Sequence, residues 1–267
     1  MIRDITIGQY YPAKSVIHKL DPRTKLFGTL VFIISVFLFH SIAGYAVATV
    51  FLAGMILIST VPVKFIFKGL KAIFMILLIT MVFNIFLTPG EALVSFGIFK
   101  ITKEGLSMAV RMAIRLVYLV IGSSLMTLTT TPNQLTDGLE KSLRPLNKIH
   151  VPVHEIAMMM SIALRFIPIL LEETDKIMSA QKARGADFDT GNLLQKAKAL
   201  VPLLVPLFIS AFRRADELAI AMECRCYHGG EGRTRLRQLK LKGIDIAALV
   251  FAVLLCVGIG VLRHFGL

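Results

Sequence analysis

The chain has 267 residues, 55% of them hydrophobic and only 18% charged, with a net charge of +13 and a mean hydropathy of +0.73. That apolar share is above the usual range of soluble domains, and the apolar runs are too long for a soluble fold. The composition therefore excludes a basic nucleic-acid-binding domain and points to an integral membrane protein with a basic cytoplasmic part.

Residues 1–25 form a polar, basic arm carrying Arg3, Lys14, Lys19, Arg23 and Lys25. It has no early apolar segment of the kind a cleavable signal needs. Asp21-Pro22-Arg23 reads as a helix start, with Asp21 as N-cap and Pro22 in the first turn. It serves either as a capping turn with topogenic charge or as a contact for cytoplasmic partners. Residues 26–39 and 43–61 are apolar runs split only by His40-Ser41, which predicts a hairpin of two spans. Lys64, Lys68 and Lys71 place residues 63–71 on the cytoplasmic side, and residues 72–87 span again. Thr88-Pro89-Gly90 ends that run, and VSFGIFKIT then alternates as a short hairpin or re-entrant piece. Residues 106–130 are the fourth span. Arg111 and Arg115 lie near its start, where they either snorkel to the interface or make a polar contact inside the bundle.

Thr131, Pro132 and Gln134 form a capping-box helix start. A short amphipathic helix follows, with Leu135, Leu139 and Leu143 on one side, and Arg144-Pro145 ends it. From residue 133 to 242 the apolar runs are broken by charge. Residues 244–262 are the fifth span, preceded by the basic stretch 233–242 and followed by a short outside tail. The expected fold is an all-α polytopic membrane protein with about five transmembrane helices. Residues 1–131 form the arm and first four spans, 132–242 a cytoplasmic module of long crossing helices, and 243–267 the last span. The arm and the module lie on the cytoplasmic side of the cell membrane.

Within the module, two long helical patterns end alike. Shifted by 41 positions, Asp175 meets Asp216, Ile177 meets Leu218, Ala180 meets Ala221, and Ala183-Arg184 meets Cys224-Arg225. Apolar residues recur at three- and four-residue steps in both, and at about 1.5 Å per residue thirty residues reach roughly 45 Å. Pro168, Pro202 and Pro206 inside them predict kinks or breaks. These apolar faces either pack on each other or offer a methionine-rich surface (Met158, Met159, Met160, Met178, Met222) to exchangeable partners. The tips Ala183-Arg184-Gly185 and Cys224-Arg225-Cys226 flank arginine with small residues. One such arginine is an ordinary favourable charge at a helix C-terminus. Two at matching ends point to docking, because small neighbours let the helix end enter a groove where the guanidinium fork meets carboxylates or carbonyls. The pattern is that of two levers between a membrane body and two similar soluble partners.

Cys224, Cys226 and His228 match no common zinc spacing, and Arg225 would repel a cation between them, so no metal site is expected. No nucleotide-binding, zinc-protease or nucleophile-elbow motif appears, so the chain is not expected to hydrolyse ATP itself.

At these residues the chain resembles the transmembrane T component of energy-coupling factor transporters, a branch of the ATP-binding cassette importers. The resemblance rests on LDPRTKL, RFIPILLEE, AQKARGADF and RRADELAIAMECRCYHGGEGRT and covers nearly the whole chain. Cys224 and Cys226 stand where that family often has alanine and glycine. The resemblance implies a non-enzymatic coupling subunit of a vitamin importer in the lipid bilayer, with two related ATPases and a membrane-embedded substrate-binding S component as partners. It implies no cofactor of its own, ATP being bound by the partners, and no nucleic acid. Residues 183–185 and 224–226 would dock the ATPases, and Met158, Met159, Leu164, Leu170, Leu204 and Phe208 would face the S component. The competing possibilities are a polytopic membrane enzyme, against which the six histidines are scattered, and a stand-alone carrier or channel. The latter needs ionisable or discontinuous spans near the midplane, where only Arg111 and Arg115 come close.

Overall fold

A computed structural model describes residues 10–38, 42–96, 99–186, 188, 192–230 and 239–264. The arm's first nine residues, the His40-Ser41 break, Glu231-Gly232 and most of the basic stretch after it lie outside the described residues. The chain forms two compact units, Leu143–Arg237 and Thr6–Ser142 with Gln238–Leu267.

The second of these, the body, holds α1 (Val16–Lys19), α2 (Pro22–Leu38), α3 (Ile42–Ser59), α4 (Val63–Leu87), α5 (Lys103–Thr129), α6 (Pro132–Leu143) and α9 (Gly243–His264). Its one sheet among the described residues is the antiparallel hairpin β1 (Ala92–Phe96) and β2 (Phe99–Thr102), which falls on the alternating VSFGIFKIT segment. The other unit holds a 3-10 turn (Arg144–Ile149), α7 (Val153–Ala183) and α8 (Leu193–Glu223). The all-helical expectation holds.

Among the described residues α5 and α7 are long and apolar enough to cross a bilayer. The two parts of α4, Val63–Lys71 and Ile73–Leu87, meet at 56° and make a third span if taken together. The bend falls where the basic stretch gives way to the apolar run. Ala43–Ser59 and Gly243–Gly258 are apolar helices of shorter length. Body helices turn large apolar side chains outward, Phe74, Met75, Phe83 and Leu87 on α4 among them, as a hydrocarbon solvent permits.

Phe32, Val36, Tyr45, Ala48 and Leu52 form one core cluster of the body, with Tyr118 and Ile121 of α5 packed against it, and Ile17, Val61, Ile66, Leu125 and Leu128 form another. α2 and α5 approach closely at Gly122, where a Cβ would stand 2.8 Å from the Phe32 ring, so a larger residue there must displace that buried ring. Arg115 lies over the Phe37 ring at 5.6 Å, which places it against an aromatic face of the bundle, whereas Arg111 reaches the Ser107 hydroxyl one turn back at 3.2 Å.

The LDPRTKL segment is the body's polar knot. The Asp21 carboxylate accepts from the Arg23 N–H at 3.0 Å, as an N-cap does. Asp21's own N–H donates to Asp245 Oδ1 at 2.7 Å, and the Lys242 N–H donates to Asp245 Oδ2 at 2.8 Å. Asp245, 1% exposed, thus caps the start of α9 and ties it to the start of α2. Lys25 is buried and donates to the Thr129 carbonyl at the end of α5, 2.8 Å away. The capping turn of Asp21-Pro22 is therefore an internal fastening. The capping box of α6 also forms, Thr131 and Gln134 exchanging hydrogen bonds at 3.2 and 3.3 Å.

The arm is fixed by Tyr11, whose N–H donates to the Leu128 carbonyl at 2.8 Å, and by His18. His18 Nε2 lies 3.0 Å from the Tyr11 carbonyl, which can only accept, so Nε2 carries the proton and Nδ1 accepts from Ser15 Oγ at 2.7 Å. Burial lowers the His18 pKa and Lys25 lowers it further, against the raising effect of the Tyr11 bond.

Asp245→Ala leaves the Asp21 and Lys242 N–H groups without their acceptor and is expected to cost about 3 kcal/mol, and Asp245→Asn about half as much; thermal unfolding in detergent, following wild type and both variants, measures the order. Because protonated His18 is disfavoured in the folded state, its contribution is present above pH 6.5 and is lost as pH falls through the lowered folded value. Melting temperature is expected to fall on the acid side in wild type and to fall less in His18→Gln.

Candidate functional site

α7 and α8 each run 31 residues. α8 starts with a capping box between Asn192 and Gln195. Neither helix breaks at its prolines, contrary to one of the two sequence expectations. In α8 one carbonyl that a proline leaves without a donor is satisfied from the neighbouring helix. Pro206 has no N–H, so the carbonyl of Pro202, four residues earlier, loses its helical donor. The Gln181 side-chain amide of α7 donates to that carbonyl at 3.3 Å.

Further along, Arg214 Nη2 meets Glu173 Oε2 at 3.4 Å. Beyond that pair, Ile162, Phe166 and Leu170 of α7 line a groove of about 280 Å³ with Ala211, Ala215, Leu218, Ala219 and Met222 of α8. Partner numbers fall on α8 as they rise on α7, so the two helices form an antiparallel pair. Their C-terminal tips consequently lie at opposite ends of the pair. Carrying the register forward leaves about 24 residues of helix between the tips, roughly 36 Å.

Both tips end in the same backbone motif. At the first, Ala186 N–H donates to the Gln181 carbonyl and Gly185 N–H to the Lys182 carbonyl, each at 3.0 Å. At the second, Tyr227 N–H donates to the Met222 carbonyl at 3.1 Å and Cys226 N–H to the Glu223 carbonyl at 2.8 Å. These are Schellman caps, with the residue after each arginine in the left-handed region: Gly185 at φ +88 and Cys226 at φ +53. All four bonds superpose under the 41-residue shift found in the sequence. Arg184 and Arg225 occupy the same cap position, both exposed, and neither guanidinium has a partner among the described residues. Ala183, Gly185, Cys224 and Cys226 are exposed beside them. After the second tip the chain folds back until a Cβ on Gly230 would stand 2.4 Å from the His154 ring, which braces that tip against the start of α7.

Of the other singled-out residues, Met158, Leu164 and Leu170 are half-buried, and Leu170 faces α8 across the groove. Met159, Leu204 and Phe208 are exposed. By helical phase Met158 and Leu164 stand about 120° apart, so the α7 residues do not share one face. On α8 the outward stripe is wider than the two residues taken from the sequence. Val201, Leu204, Val205, Phe208, Ile209 and Phe212 are all exposed within an arc of about 140°. The apolar run LVPLLVPLFISAF held that signal, but periodicity alone does not say which of two apolar faces is covered. Among the described residues no three His, Cys, Asp or Glu side chains gather as a metal ion would need. The His228 ring instead lies 3.0 Å from the Cys226 carbonyl.

Residues 13–236 match the CbiQ family model, described as cobalt transport protein. The chain is 59% identical over 262 residues to the energy-coupling factor transporter transmembrane protein EcfT of Clostridium kluyveri, covering 97% of each. The EcfT of Ruminiclostridium cellulolyticum is 56% identical with 92% of each chain covered, and that of Bacillus subtilis is 49% identical with 96% of this chain and 97% of its own covered. The chain belongs to this family. It is a transmembrane component of energy-coupling factor importers, a transporter subunit and not an enzyme. The sequence resemblance is thereby confirmed, and the matched tips are features of an energy-coupling factor transmembrane protein.

Left-handed backbone costs an L-residue about 1–2 kcal/mol, which glycine avoids. Gly185→Ala is therefore expected to destabilise the first tip by about that amount and Cys226→Gly to relieve the second by about 1 kcal/mol; hydrogen exchange at the tip amides reads both changes locally.

Proposed function

We propose that the chain couples ATP-driven motion in two homologous cytoplasmic ATPases to a membrane-embedded, vitamin-binding S component. The observation that carries this reading is the pair of exposed arginines held in equal caps at opposite ends of one antiparallel helix pair. Each guanidinium offers five donors, and a small residue on either side clears the approach to a groove. A separation of about 36 Å suits two side-by-side subunits better than one. The ATPases bind the nucleotide, and the chain needs no cofactor of its own. Change in ATPase spacing moves the two tips, and the paired helices carry that displacement as a stiff unit.

The outward apolar stripe of α8, with the exposed Met159 and Met160 of α7, supplies the surface for the S component. Exposed apolar area of this extent marks a partner or lipid contact. The N-terminal arm and the segment between α6 and α9 lie on the cytoplasmic side of the cell membrane, as the lysines at 64, 68 and 71 favour.

Arg184→Ala and Arg225→Ala are each expected to weaken ATPase association by roughly tenfold or more, as loss of a charge-assisted anchor does, and the double variant to abolish uptake. Co-purification in mild detergent with substrate uptake in vesicles tests it. A double variant that assembles and transports normally removes the docking role.

A further inference from the structure

The segment that carries the two tips leaves the body at Ser142 and re-enters it at Gln238. On the body side of both points the same carbonyl is engaged. Lys141 Nζ, on the last turn of α6 before the exit, donates to the Leu239 carbonyl at 2.9 Å. Arg23 Nη2, from the first turn of α2, donates to that same oxygen at 3.2 Å. One backbone oxygen just past the re-entry therefore holds both the outgoing helix and the start of the first long body helix.

The surroundings make this a rigid station. Arg23 Nε lies 3.4 Å from Asp21 Oδ1, and the side chain is only 26% exposed. Asp21 is tied to Asp245 at the head of α9, and Lys25 to Thr129 at the foot of α5. α6 lies hard against α2 at Gly138, where a Cβ would stand 2.8 Å from Pro22 Cβ. Three body helices and both ends of the intervening segment are fastened within one short stretch. Capping alone does not account for it. Asp21 and Asp245 satisfy the helix starts, whereas Arg23 and Lys141 spend two cations on a carbonyl in the returning chain.

We propose that Arg23 and Lys141 are positioning residues of the coupling cycle, clamping exit and re-entry of the lever segment so that displacement of the tips is passed to the body. The inference rests on the coupling function proposed above. A lever whose two attachments can slide apart yields at its root, and hydrolysis then proceeds without transport. Two cations on one oxygen resist such sliding because moving either attachment breaks a charge-assisted bond.

The test uses the complete reconstituted complex with Arg23→Met/Lys141→Met, Lys141→Met alone, and Lys141→Arg. Assembly, ATP hydrolysis and substrate uptake are measured together, giving ATP hydrolysed per substrate moved. The expected result is retained assembly and hydrolysis with uptake reduced about fivefold or more in the double variant, less in the single one, and restored by Lys141→Arg. Uptake and hydrolysis that stay equal to wild type, or that fall in the same proportion, overturn the clamp. Loss of assembly in both methionine variants also overturns it, since the contacts would then be structural only. Failure of the tips as docking points reads differently, because there the ATPases separate from the arginine-tip variants.

Discussion

A helix ends with carbonyls that have no helical donor, and the way they are satisfied decides where the last side chains point. In both long helices this is done by the chain turning back on itself through one left-handed residue. That turn stops the helix abruptly, uses the backbone's own N–H groups as the cap, and leaves the preceding side chain without any capping duty. The preceding side chain is arginine in both cases. Its place at the tip is thus set by backbone geometry and does not depend on a neighbour holding it.

The two tips reach this geometry at unequal cost. Gly185 takes the left-handed turn without strain, whereas Cys226 carries a Cβ into it. The second tip is also the one braced by the Gly230 approach to His154. A strained turn held by a tertiary contact and a relaxed turn without that contact are different mechanical ends, although their hydrogen bonds are the same.

Much of this was legible before any coordinates. The 41-residue shift named the equivalent positions, the capping signals at Asp21-Pro22 and Thr131-Gln134 became observed caps, and the alternating segment became a hairpin. Family residues around the arginines were specific enough to identify the family. What stayed hidden was long-range. Nothing near Asp21 reveals that its N–H will be accepted by Asp245, 224 positions away. Pro202 and Pro206 read as kinks or breaks because the missing donor is a local fact, while the donor that reaches the Pro202 carbonyl, Gln181, sits on another helix. Helical periodicity marked the apolar faces of α8 but could not say that Leu203 turns inward while Leu204 and Phe208 stay exposed.

The polar contacts between α7 and α8 contribute little to holding the pair together. A partly exposed ion pair such as Glu173–Arg214 contributes about 0–1 kcal/mol, and the Gln181 amide about 1. Each large apolar side chain buried along the groove contributes about 1.5–3 when fully covered, and several are partly covered here. Apolar packing therefore supplies the cohesion. It is, however, poor at fixing position, because ridges of similar side chains can repack one turn away, about 5.4 Å along the axis. Such a slip would displace one tip against the other by the same amount. After a slip of one turn Gln181 would still meet a carbonyl without its helical donor, that of Lys198 four residues before Pro202, whereas Glu173 would lose Arg214. The weak Glu173–Arg214 contact thus selects the register that the strong but indifferent packing then maintains, and the distance between the arginines follows from that choice.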